Sequence, residues 1–427
     1  MGCPAPWGAR LIYGVPAPWR SQPHEVPTPV SPPPNTSLGV SPAGPAVPGP
    51  PGRALLRGLQ PRAPLPGVPE RVSRFLERRD GIPCDPRDVI LCSGTASILP
   101  FVLSLLVDPG SAVPTGVLVP VPGPPVLGAA AGLAGAVAIP YPLAEGRGWA
   151  VDVAAIRRQL RDARGRCRPT VLCVVNPGDP TGQVLSRGDM EAVLGLAAEE
   201  PLLLLADEVH QERCFDPARP FLSFRRVLGE AGAPLSRSVQ LISLYSLSKS
   251  AAGESGFRAG FLELVNIEEG VRQPFQLAQS IPRPCVPGRI LLDLLLEPPD
   301  TGDPIGQAVH EHRRELCRAL ARNARRVQEV LGGTPGMRCP PLAGGPRAFP
   351  RIHIPPRARS CATALSLQPD RFFCRRLEEL TGLAVTQEPL GHRGLHLRLS
   401  LLLPPERLER VLQLLVRFHA QFLREFS

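Results

Sequence analysis

VQLISLYSLSKS, residues 239–250, is the stretch on which the fold turns. Its first eight positions are a short apolar run that ends in hydroxyls and an amine. Two similar runs precede it: VLCVVNP, residues 171–177, and LLLLADE, residues 202–208. Short apolar runs with polar tails predict strands buried on both faces of a parallel sheet. From about residue 72 onward, helical and strand-like stretches alternate around them, which predicts an α/β protein with a mostly parallel central sheet and helices on both faces. Ligands of such sheets bind beyond the carboxyl ends of the strands. The tails NPGDPTG, ADEVH and SLSKS are therefore expected to converge on one edge.

Helices fill the intervals, for example over residues 153–163 with Asp152 as N-cap, and over residues 189–199 after Ser186. Farther along, residues 304–331 carry a long Arg-rich helical pattern. RAFPRIHIP follows as a strand, residues 370–380 as a helix, GLHLRLSLLL as a strand and residues 406–426 as a terminal helix. The expected organisation is a Pro-rich arm over residues 1–68, a large domain over 69–300, and a linking helix with a smaller α/β domain over 301–427. The arm holds runs such as SPPPNTSLGVSPAGPAVPGPPG, residues 31–52, which read as polyproline-like or disordered chain without a packed core.

Composition excludes several classes. A net charge of +10 arises from arginines interleaved with acids, with no basic block and 5% aromatic content, so no nucleic-acid partner is expected. The longest apolar candidate for a membrane span, residues 117–143, is broken by prolines and glycines, so no membrane partner is expected. The 11 cysteines show no CxxC pair and no zinc spacing. Cys92 and Cys173 lie inside apolar runs, as buried free thiols do. A reducing, cytoplasmic setting follows. Prolines also prevent the amphipathic helix of a mitochondrial presequence.

Of the 48 lysines and arginines, all but one are arginine, and the exception is Lys249 at the end of the opening stretch. A solvated charge tolerates either cation, but guanidinium stays protonated and cannot condense with a carbonyl, whereas an amine can. A lysine at the mouth of a parallel sheet points to pyridoxal 5'-phosphate, which acts as an electron sink once joined to an amino acid. That chemistry needs an amine, a carboxylate on the ring nitrogen, a phosphate cradle and a clamp for the substrate carboxylate. Lys249 is the amine, with a pKa lowered by desolvation. Asp207, ending LLLLADE, is placed for the ring nitrogen, with a helix cap as the alternative reading. Ser246, Ser248, Arg258 and the SGTAS turn with Thr95, Ala96 and Ser97 are candidates for the phosphate, because a helix start favours an anion. Residue type alone singles out no arginine for the substrate; Arg398 in HLRLSL is one candidate.

The runs CRPTVLCVVNPGDPTGQVLS (residues 167–186), LLLLADEVHQE (202–212), SLYSLSKSAAGESGFRAGFLELVN (243–266), FPRIHIP (349–355) and LRLSLLLPPERL (397–408) resemble, in order, the alanine aminotransferases of the class-I/II pyridoxal-phosphate family. The likeness runs from about residue 72 to the C-terminus. It implies the fold-type-I architecture, a homodimer, and amino transfer between an amino acid and a 2-oxo acid, namely L-alanine and 2-oxoglutarate. It further implies that Lys249 holds the cofactor, Asp207 its ring nitrogen, Ser246 and Arg258 its phosphate, and Arg398 the substrate carboxylate.

Departures from that pattern carry expectations of their own. Asp179 stands where the family has Asn facing the cofactor's phenolic oxygen. Two negative charges would repel there, so either Asp179 is protonated with a raised pKa or cofactor binding weakens. His210 replaces Tyr and donates with a different reach. Pro124 and Leu127 replace tyrosines, which removes stacking on the ring. Thr95, Ala96 and Ser97 replace Ala-Ser-Asp, and Pro346-Arg347 replaces Met-Tyr, adding a cation. The family's N-terminal region has no match in the arm. Three readings stay open: an alanine-type aminotransferase, another pyridoxal-phosphate enzyme on the same fold, and a non-catalytic relative.

Overall fold

The computed structural model describes residues 67–427 apart from 109, 279–283, 298–301 and 386–395. All of them belong to one compact unit, Pro61–Ser427. The Pro-rich arm, except its last two positions, lies outside the described residues.

Seven strands form the main sheet in the order β1-β7-β6-β5-β4-β2-β3. They are β1 (Val89–Cys92), β2 (Thr115–Val121), β3 (Val137–Pro142), β4 (Arg168–Val175), β5 (Leu203–Asp207), β6 (Leu241–Ser246) and β7 (Gly260–Val265). The run from β6 to β3 is parallel, while β7 pairs antiparallel with both β6 and β1. The three apolar runs are thus adjacent central strands, and every residue of β5 and β6 is buried. Alternate side chains enter different cores. Leu204 and Ala206 join a cluster with Ile156, Val193 and Phe224, whereas Leu203 and Leu205 join one with Ile98, Val102 and Phe275. Each fully buried aliphatic chain of this kind contributes about 1.5–3 kcal/mol. This explains why the runs are apolar throughout instead of alternating.

The helices start where their caps predict. Asp152 accepts from the Ala155 N–H before the helix Val153–Ala163, and Ser186 with Asp189 makes a capping box for Arg187–Glu199. The long helix is Pro304–Gly332, and it packs on the terminal helix Pro405–Phe426 around Leu320, Val327, Leu412 and Leu415.

The two strands read in the C-terminal part are shorter than expected. RAFPRIHIP yields β9 (Arg347–Ala348) and β10 (Arg351–Ile352), following β8 (Met337–Arg338), and GLHLRLSLLL yields β11 (Leu399–Ser400). Its first two residues lie outside the described ones. Pro346, Pro350 and Pro355 punctuate the first segment, and a proline lacks the N–H a continuing ladder requires. The surviving pairs matter for the site: Leu399 opposes Ala348 and Ser400 opposes Arg347.

Candidate active site

β5 and β6 end side by side, with Asp207 level with Leu244 across the ladder. Beyond β6 the chain turns through a short 3-10 segment, Leu247–Lys249, that carries the half-buried lysine. Burial lowers the Lys249 pKa; nearby Asp179 and Asp207 oppose that shift, and Arg347 and Arg213 add to it. The segment behind the lysine is braced. Glu212 accepts from the Tyr245 hydroxyl at 2.5 Å and from the Ala251 N–H at 3.0 Å, and Ser250 Oγ donates to the Leu247 carbonyl. The amine therefore sits on a fixed support.

Asp207 is 4% exposed, and its side chain accepts from the Val209 N–H at 3.4 Å in the loop after β5, so it caps no helix. Burial raises its pKa to about 6, and Asp179 adds to the rise while Lys249 opposes it. A buried carboxyl with so little satisfaction suits a protonated ring nitrogen, which would restore the carboxylate by pairing with it. Glu208, one position on, faces the opposite side and accepts from the Phe224 N–H at 2.7 Å. Adjacent acids thus serve different layers, because strand side chains alternate.

The phosphate candidates gather at a second corner. Arg258 Nη1 donates to Ser248 Oγ at 3.2 Å and to the Ser255 carbonyl at 3.1 Å. Its Nη2 lies over Gly94, where a Cβ would meet it at 2.7 Å, so only glycine admits the guanidinium there. Gly94 has φ +100° and precedes the helix Thr95–Leu106, whose first turn holds no acid. Thr95 is half-buried, Ala96 and Ser97 are exposed, and Ser97 Oγ donates to the Gly94 carbonyl, within 2.9 Å of Ser93 Oγ. A cation, a hydroxyl and a helix start thus gather at one corner, an arrangement that favours an anion. Ser246 is buried on β6 opposite Gly260. Amine, buried carboxylate and anion cradle together fit pyridoxal phosphate.

The third corner corrects an expectation. Asp179 is not a protonated acid. Burial works to raise its pKa, but His210 and Arg347 outweigh it and hold Asp179 well below the usual carboxylate range. Arg347 Nη1 donates to both carboxylate oxygens, at 2.5 and 2.6 Å, whereas His210 Nε2 stands 3.6 Å away, beyond hydrogen-bond reach. Burial also lowers the His210 pKa, so Arg347 is the lasting counter-ion. His210 is 1% exposed and its Nδ1 has no hydrogen-bond partner among the described residues.

Backbone bonds mount both partners on one brace. The NPGDPTG turn closes through Gly178 N–H to the Gln183 carbonyl and Asn176 Oδ1 accepting from the Leu185 N–H. Gly182, at φ +74°, accepts from the Ala343 and Gly344 N–H groups, while the Gly345 N–H donates to the Arg213 carbonyl. The chain then enters β9 with Arg347 directed at Asp179.

Arg398, beside β11, donates through Nη2 to the Gly123 carbonyl at 3.3 Å. Gly123 immediately precedes Pro124, which opens the helix Pro125–Leu133, and Leu127 is buried within that helix. Leu127 therefore belongs to the core. Arg213 went unread in the sequence. It is 5% exposed, donates to the Ser250 carbonyl at 3.4 Å, and influences Lys249. Its place in ADEVHQER, six residues after Asp207 in a strand-end loop, was the available signal.

Residues 56–344 match the family model described as Aminotransferase class I and II. The chain is 44% identical to alanine aminotransferase 1 of Bos taurus over 84% of its own length and 74% of that protein's. It is 43% identical to alanine aminotransferase 1 of Homo sapiens over the same shares. Among solved structures, alanine aminotransferase from Pyrococcus furiosus superposes with a TM-score of 0.71 at 20% identity, covering 87% of each chain. Aspartate aminotransferase from Thermus thermophilus gives 0.68 at 22%, covering 86% of each. With an amine and a buried carboxylate at adjoining strand ends of the same fold, the chain belongs to the class I and II aminotransferases.

Proposed function

We propose that this chain transfers an amino group between L-alanine and 2-oxoglutarate, giving pyruvate and glutamate, with pyridoxal phosphate as cofactor. The observation that carries the reading is that Asp207 ends β5 and Lys249 follows the end of the adjoining β6, in a chain more than 40% identical to alanine aminotransferases. When bound, the cofactor supplies an electron sink for the charge left as the substrate loses its α-proton. The remaining work falls to side chains. Lys249, whose burial favours the neutral amine, holds the cofactor and moves the α-proton. Asp207 holds the ring-nitrogen proton. Arg258, Ser248, Ser246, the N–H groups of Thr95 and Ala96 and the Ser97 hydroxyl would take the phosphate. Asp179 and His210 face the ring edge, and Arg398 clamps the substrate α-carboxylate.

A homodimer is part of the proposal, as the family likeness implies, and sedimentation of the loaded protein tests it. A cytoplasmic setting is supported by thiols such as Cys92 and Cys173, which are buried without a disulfide. No helix of the described residues is long and apolar enough to cross a membrane. The functional test is direct: with pyridoxal phosphate, L-alanine and 2-oxoglutarate, pyruvate and glutamate should accumulate one for one. Ammonia release without glutamate, or no turnover, contradicts the proposal.

A further inference from the structure

Two departures from the family pattern meet in space. Asp179 and Arg347 are 168 residues apart, yet Arg347 grips both oxygens of the carboxylate. Asp179 side-chain exposure is 12% and that of Arg347 is 34%. The acid lies at the end of a buried sheet and the cation reaches it from the rim. An anion alone at this position would repel a ring oxygen that is itself anionic, and an unpaired cation would attract it. Joined by a two-oxygen contact, the pair presents almost no net charge.

We propose that Arg347 is a positioning residue that fixes Asp179 as a carboxylate at the cofactor's ring edge, so that the two substitutions together balance the charge facing the Lys249–cofactor linkage. The proposal rests on the function proposed above. Other charges face the same space: Asp207 from β5, Lys249 beyond β6, and His210 and Arg213 from the loop after β5. Arg213 is bound to the Ser250 carbonyl and its carbonyl to Gly345, so it is not placed to replace Arg347 as the counter-ion. The bonds from the Ala343 and Gly344 N–H groups to Gly182, and from the Gly345 N–H to Arg213, hold the segment that carries Arg347 beside the NPGDPTG turn.

Arg347→Met leaves a bare carboxylate at the ring edge, which disfavours the anionic cofactor and favours a proton on the linkage. Cofactor dissociation should rise about tenfold, and the pH midpoint of the visible absorbance change should move up. Asp179→Asn leaves a bare cation, so binding should tighten and the midpoint should move down. The double variant removes both charges and should return to within about threefold of the parent. Fluorescence titration with pyridoxal phosphate and absorbance against pH read these effects without any turnover. Melting of the cofactor-free variants separates a structural role, which would lower stability and leave the midpoint in place. An unchanged dissociation constant and midpoint in Arg347→Met, or a double variant worse than both singles, overturns the pairing. If the parent binds no cofactor at all, the proposed function fails and the pairing proposal with it. If the parent binds and only the variants are silent, the pairing alone fails.

Discussion

The corner proposed for the phosphate and the one proposed for the ring edge are built in contrasting ways. At the phosphate corner Arg258, Ser248 and the helix start at Thr95 lie close in space with glycine making room, and no acid intrudes on the helix start. At the ring edge an acid, a buried histidine and a rim arginine replace the residues that the family resemblance leads one to expect. The difference teaches where a cofactor site tolerates change. A doubly charged phosphate needs several donors aimed at one point, and losing one leaves desolvated charge behind. A ring edge needs only an appropriate net charge and hydrogen bonding, which more than one set of residues can supply.

The contrast can be broken most severely at the residues both corners serve. Lys249→Arg keeps the charge and removes the condensable amine; turnover should fall by about 10³-fold or more, with loss of the visible cofactor band. Asp207→Asn should lower turnover by about 10²-fold by weakening the hold on the ring-nitrogen proton. The same variant tests the electrostatics of the cofactor-free protein. Because burial raises the Asp207 pKa to about 6, its protonated form stabilises the fold fully below about pH 4. That contribution is lost as pH rises through about 6, so Asp207→Asn should melt higher than the parent above pH 6, with the advantage vanishing towards pH 4. Melting curves across that range check the sign, and an advantage that grows as pH falls would contradict it.

Smaller effects sharpen the comparison at the phosphate corner. Arg258→Gln removes a charge-assisted donor, and cofactor dissociation should rise about 10–100-fold by fluorescence titration, more than for Arg347→Met. Ser248→Ala removes a neutral hydroxyl and should cost about fivefold in the same measurement. A larger loss at Arg347 than at Arg258 would reverse the ranking of the two corners.

Much of this architecture was legible in the sequence because it is written locally. Apolar runs with polar tails marked β4, β5 and β6, Asp152 and Ser186 marked helix starts, and Lys249 declared itself as the lone amine. What escaped depends on distant partners. Asp179 read alone suggested repulsion, met either by a raised pKa or by weaker cofactor binding, because Arg347 reaches it only through the β9–β11 register and the strap on Gly182. The contact of Arg258 with Gly94 likewise depends on residues far apart in the chain, brought together because β1 pairs with β7 and sets Cys92 opposite Gly260. The short strands in the C-terminal part escaped for a local reason: prolines interrupt ladders that alternation alone would extend.

The central claim is that Lys249 holds the cofactor. Borohydride reduction of the pyridoxal-phosphate-loaded protein, followed by peptide mapping, tests it in one step, since reduction makes permanent whatever bond the cofactor has formed. A single pyridoxyl label on the peptide containing Lys249 is the predicted result. Loading without any label there, or a label confined to the N-terminal amine, would contradict it.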